Sequence, residues 1–165
     1  MKQRYYVIIT ALFLAVFGIT ASAIAPSLAA SEDKIIMPAP SYEPEDVVAI
    51  QLLGLQATNG DYRSIAMQQV WAFAHPSNKA MTGPLPRFAR LFDLPAYRPL
   101  LGHSTSNITR LAETEDIVQM RVQITGRDGQ SYVYLWVVRR AISGDEAGSW
   151  MTVSVSAPAG GGTRS

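Results

Sequence analysis

Two histidines, His75 and His103, are the side chains in this sequence best suited to proton transfer near neutral pH or to metal binding. They lie 28 positions apart, with no HExxH pair and no cysteine beside them. A zinc site needs three or four ligands, so neither a metal nor any other cofactor is expected. His75 precedes Pro76 and reads as a helix-terminal residue capping backbone carbonyls. His103 follows Leu101-Gly102 at a strand end and is the histidine expected to line a pocket, if either does. Asp93, set between Phe92 and Leu94, is an odd place for a charge. It reads as a turn residue, and a pocket acid is its functional alternative. Tyr97 and Trp71 complete the pocket candidates. No serine lies in a GxSxG elbow, and Gly126-Arg127-Asp128-Gly129 is a hairpin loop, not a phosphate loop. No catalytic residue is assigned.

The elements that must position these residues follow from periodicity. Val48, Leu52 and Leu55 repeat at i, i+4, i+7, which predicts a helix opened by Pro44 and Glu45 and stopped by Asn59-Gly60. Asp61 would cap a second helix reaching Phe73, with Pro76 ending it. Thr82-Gly83-Pro84 starts a third, carrying Leu85, Phe88, Leu91 and Phe92 and closed by Pro95. The period then falls to two. Strands or extended links are predicted at Tyr97 to Leu101, Ser106 to Leu111, Ile117 to Thr125, Ser131 to Arg139 and Trp150 to Ser156. Met151, Val153 and Val155 would share one face of the last strand. Ser131 to Arg139 is apolar on both faces and should be central. Three helices on a curved antiparallel sheet of four or five strands is an α+β architecture. Tyr132, Tyr134 and Trp136, or the opposite face of their strand, are the candidate interface for a protein partner or a homodimer.

The N-terminus joins Lys2 and Arg4 to an apolar run and a small-residue exit, the three parts of a secretory signal. Residues 1–29 are expected to be removed after Ala29, leaving the domain in the periplasm. The rival is an uncleaved anchor over Tyr6 to Ala25, since a spanning helix needs about 20 apolar residues. Residues 30–44 read as a Pro-containing tether, 45–156 as one domain and 157–165 as a flexible tail. Setting Lys2 and Arg4 aside leaves 12 basic against 13 acidic residues. A near-neutral domain gives no electrostatic reason to expect nucleic acid.

The order of elements is similar to the nuclear-transport-factor-2-like, or cystatin-like, fold, a cone of helices on a curved sheet. Gln51-Leu52-Leu53, Phe73 to Asn78, Thr82-Gly83-Pro84, Arg87-Phe88, Tyr97 to His103 and Trp150-Met151-Thr152 occur in that order. They resemble the domain of unknown function 4864 family over roughly Val47 to Val155, with His75 standing where that family's usual run has serine. The resemblance implies a fold and frequent export, and brings no activity and no catalytic residues. The expected function is a non-enzymatic periplasmic domain binding a protein partner or a small apolar ligand. The alternatives are a membrane-tethered accessory subunit, and a cofactor-free isomerase or dehydratase acting through Asp and Tyr or His in the cone.

Overall fold

A computed structural model describes residues 35–57 and 62–156, all within one compact unit. The apolar N-terminal segment, Asn59-Gly60, Asp61 and the tail lie outside the described residues, and with them the signal, anchor, helix-stop and cap readings. No described helix is long and apolar enough to cross a membrane.

Helix α1, Pro44–Gln56, opens with Pro44 at a position whose N–H has no helical partner to lose. The Asp46 carboxylate accepts the Glu43 N–H at 2.9 Å. Val48, Leu52 and Leu55 are buried, and Val47 and Gln51 widen the stripe. Helix α2, Tyr62–Ala72, adds Ala66, Met67 and Val70 to the same core.

The described residues form four α-helices where three were expected, because Pro76 starts a helix as well as ending one. Helix α3 spans Pro76–Thr82, with His75 as its N-cap. The His75 imidazole therefore serves an N–H group, not a carbonyl: Nδ1 accepts from the Ser77 N–H at 3.2 Å. Helix α4, Leu85–Arg90, buries Phe88 and runs into a short 3-10 turn, Leu91–Asp93. The segment Tyr97 to Leu101 is a second 3-10 turn over Arg98–Leu100, and neither a strand nor an extended link. Pro99 at its centre has no N–H to give a sheet ladder.

Strands β1 (Thr105–Glu113), β2 (Ile117–Thr125), β3 (Ser131–Arg140) and β4 (Trp150–Val155) form one open antiparallel sheet in sequence order. β3 is interior, as its two apolar faces require. Val118, Met120, Val122 and Ile124 of β2 join Tyr134, Trp136 and Val138 of β3 in the core, beneath α1, α2 and α4. The β4 register shifts between Val137 and Val138, so that Val155 faces Trp136 and Thr152 faces Val138. Residue 153 is the extra one of a bulge. Met151 and Val155 consequently lie on opposite faces, which corrects the shared face that simple alternation gives.

The free edge of β4 is partly paired. The His75 N–H donates to the Thr152 carbonyl at 2.8 Å and the Thr152 N–H to the Phe73 carbonyl at 2.8 Å, an isolated parallel bridge. The stretch read as a tether is docked from Ile35 onward. The Gln69 amide donates to the Ile36 carbonyl and its oxygen accepts the Ile36 N–H, both at 2.8 Å. Ile35 and Tyr42 pack on the core. Gln69→Ala is expected to free this segment at a cost of about 1 kcal/mol, because water can replace only part of the lost pairing. Amide hydrogen exchange checks it: Ile36 should lose protection while the core strands keep theirs.

Candidate functional site

A cavity of about 260 Å³ lies between α3, α4 and the free edge of β4. That is slightly below the roughly 300 Å³ at which small-molecule pockets usually begin. Phe88, Leu91 and Phe92 form one wall, Val70, Leu100 and Trp136 the floor, and Met81 and Thr82 the α3 side. Phe88 and Phe92 meet edge to face with centroids 5.5 Å apart. Thr152, Val153, Ser154 and Val155 all line it. Four consecutive strand residues can border one cavity only if it runs along the strand's edge, because their side chains alternate between faces.

The polar groups at the inner end are engaged with one another. Trp136 Nε1–H donates to Thr152 Oγ1 at 3.0 Å, and Thr152 Oγ1–H donates to Gln51 Oε1 at 2.6 Å. Gln51 Nε2–H donates to the Val70 carbonyl at 3.0 Å. Asn78 Nδ2–H donates to the Thr152 carbonyl at 3.2 Å. These bonds link α1, α2, α3, β3 and β4 through Gln51, Thr152 and Trp136, which are almost wholly shielded from water, and the half-buried Asn78. Apart from the Tyr97 phenol, no ionisable side chain among the described residues lines the cavity.

Among the pocket candidates, only Tyr97 is in this wall, its hydroxyl donating to the Val155 carbonyl at 3.1 Å. His103 is 2 % exposed but lies off the cavity. Its Nδ1–H donates to the Leu100 carbonyl at 2.8 Å, which leaves Nε2 buried and without a partner among the described residues. Asp93 is on the surface, paired with Arg63, so it is no pocket acid. Trp71 packs on Phe88 at 5.1 Å and under Lys79, outside the wall. No described group of three or more His, Asp or Glu side chains could hold a metal.

The interface reading of β3 is corrected in part. Tyr134 and Trp136 are buried in the core, and the Tyr134 hydroxyl donates to the Ala96 carbonyl at 2.9 Å. Burial pushes that phenol's pKa up. Tyr132 is half-buried and donates to Asp128. The open face of β3 carries Val133, Leu135 and Val137 instead, with Leu135 38 % exposed.

Gln51, Thr152 and Asn78 were not among the expected site residues. Gln51 had a signal, a polar residue three positions after Val48 on the apolar stripe of α1. Thr152 had none, since a bulge decides which way it points.

His103 gives a pH dependence with a definite sign. Burial lowers its pKa below the ordinary 6.5, only partly opposed by the bond to Leu100. Above about 6.5 the imidazole is neutral in both folded and unfolded chains and adds no slope. Below it the unfolded chain takes the proton first, so stability falls until the folded group also titrates. His103→Gln keeps an amide donor and removes the titration. Thermal unfolding between pH 8 and 5 should show a flatter acid limb for this variant than for the parent, with His75 common to both. Parallel limbs would refute the assignment.

The chain matches no family model, no curated protein and no solved structure. The resemblance to the domain of unknown function 4864 family gains no support from these comparisons. What the fold defines is an α+β domain with an open four-stranded sheet.

Proposed function

We propose that this protein is a non-enzymatic binding domain for a small apolar ligand held in the cavity between α3, α4 and β4. One observation carries the reading: apolar and aromatic walls around a space whose buried polar side chains already satisfy one another. Such a site gains by excluding water and offers no proton donor or acceptor pair to a reaction. Its setting, helices over one face of an open sheet, is compatible with a nuclear-transport-factor-2-like cone. The apolar N-terminal run supports export to the periplasm, with an uncleaved anchor as the tethered alternative.

Toluene tests the site directly. A ligand that binds only the folded state raises the unfolding midpoint, and the gain grows with the logarithm of its concentration over Kd. Saturating toluene should raise the midpoint of the parent and leave Val153→Phe, whose ring fills the cavity at the half-buried bulge, unchanged. Equal shifts in both proteins, or none in the parent, would remove the reading.

A second reading is favoured by the open apolar stripe Val133, Leu135 and Val137, which suits a protein partner. Leu135→Glu should then abolish partner capture in crosslinking while toluene binding persists.

A further inference from the structure

We propose that the cavity selects a neutral ligand with an apolar body and one hydrogen-bond acceptor, a carbonyl or ether oxygen, held by the Val155 N–H. This rests on the apolar-ligand reading above and adds to it the polarity and charge of the ligand.

The direction of the Val155 N–H follows from the ladder. The Ser156 N–H donates to the Leu135 carbonyl at 2.9 Å, which makes that pair a hydrogen-bonded one. In an antiparallel ladder the next pair is non-hydrogen-bonded and turns its backbone groups away from the partner strand. That next pair is Trp136 and Val155. Val155 therefore points its N–H and carbonyl off the free edge of β4, along which the cavity runs. The carbonyl is taken by the Tyr97 hydroxyl. Outside the strand ladder, the N–H has no backbone acceptor among the described residues. Farther back along the edge, the same outward groups of Thr152 are both satisfied by Phe73 and His75. Val155 is thus the edge position at the cavity that offers a donor and no acceptor.

Charge is decided by the wall. Among the described residues, no Lys, Arg, His, Asp or Glu side chain lines the cavity. A carboxylate or ammonium placed there would lose its water without gaining a counter-charge, which costs far more than one hydrogen bond returns. Scaling from apolar cavities that hold an aromatic ring, the space fits roughly ten non-hydrogen atoms.

Acetophenone, α-methylstyrene and benzoate separate these terms, since they share one shape and one number of non-hydrogen atoms. The first carries a neutral carbonyl, the second an apolar methylene in its place, the third a charge. Each is titrated into the full chain while backbone amide resonances are followed. Acetophenone should bind and shift the Val155 amide downfield. It should bind about threefold to tenfold more tightly than α-methylstyrene, the worth of one net hydrogen bond. Benzoate should bind at least about tenfold more weakly than either.

Val155→Pro removes the donor at an edge position where proline is tolerated. It should erase the preference for acetophenone, bringing the ratio of the two neutral probes' affinities to about one whatever the change in overall affinity. If that variant does not fold, the amide shift and affinity ratio in the parent still decide. Equal affinity of the two neutral probes with no Val155 shift overturns the acceptor but keeps the cavity. Tighter binding of benzoate overturns the neutrality. Binding of none of the three overturns the apolar-ligand reading itself.

Discussion

Replacing Trp136 by alanine is expected to lower the unfolding free energy by about 3–5 kcal/mol. The indole is 1 % exposed, at the centre of β3, and forms part of the cavity floor. Its removal enlarges an existing space that the neighbouring β2 and β4 cannot close, because both are fixed in register against β3. It also takes a donor from Thr152 Oγ1. Against a typical total of about 5–15 kcal/mol, the loss leaves little reserve. Urea unfolding measures it, and the midpoint should fall with an unchanged slope. A loss below about 1 kcal/mol would mean that the indole is not packed as described. Trp136→Phe keeps most of the volume and should cost much less, which separates packing from the hydrogen bond.

Gln51→Leu is expected to cost about 2–4 kcal/mol although it preserves bulk and raises hydrophobicity. Two buried groups lose a partner, the Thr152 hydroxyl and the Val70 carbonyl. Each unsatisfied group costs about 1–3 kcal/mol. Thr152→Val alone should also destabilise, because Trp136 Nε1–H and Gln51 Oε1 both lose their bond to its hydroxyl. The two substitutions together should cost less than the sum of their separate effects, by about 1 kcal/mol or more, since the second removes a group that the first has already orphaned. A double-mutant cycle in urea gives that coupling. Strict additivity would show that the relay from Trp136 through Thr152 to Gln51 does not act as a unit.

The elements were legible wherever a period ran uninterrupted. β2 alternates Val118, Met120, Val122 and Ile124 with Gln119, Arg121 and Gln123. The structure buries the first set and exposes the second. α1 was set by one stripe and by Pro44. The misreadings cluster at prolines and at one bulge. Pro76 looks the same from the sequence whether it ends α2 or begins α3. Only the pairing of Phe73 and His75 with Thr152 shows that the chain turns there and starts again. Pro99 sits within a period-two stretch, yet the chain winds into a 3-10 turn that buries Leu100.

The candidate site was less legible than the fold, because it depends on contacts between residues far apart in sequence. Thr152 and Gln51 are 101 positions apart. Tyr97 was identified as a wall residue, but His103, Asp93 and Trp71 are chemically suggestive residues that the fold places elsewhere. Their types carry chemistry, and side-chain type alone does not say where a side chain ends up.

The sequence by itself determined the α+β class, the central place of β3 and the helix-facing surface of β2. These follow from local periodicity, because burying one face of an element needs an apolar residue at each repeat. Tertiary structure alone decided the cavity and its polarity. Its wall is set by the bulge at Val153, by the free edge of β4 and by the approach of α3. None of these leaves a repeat to read, since each arises where two distant segments meet and one fails to continue the other's ladder.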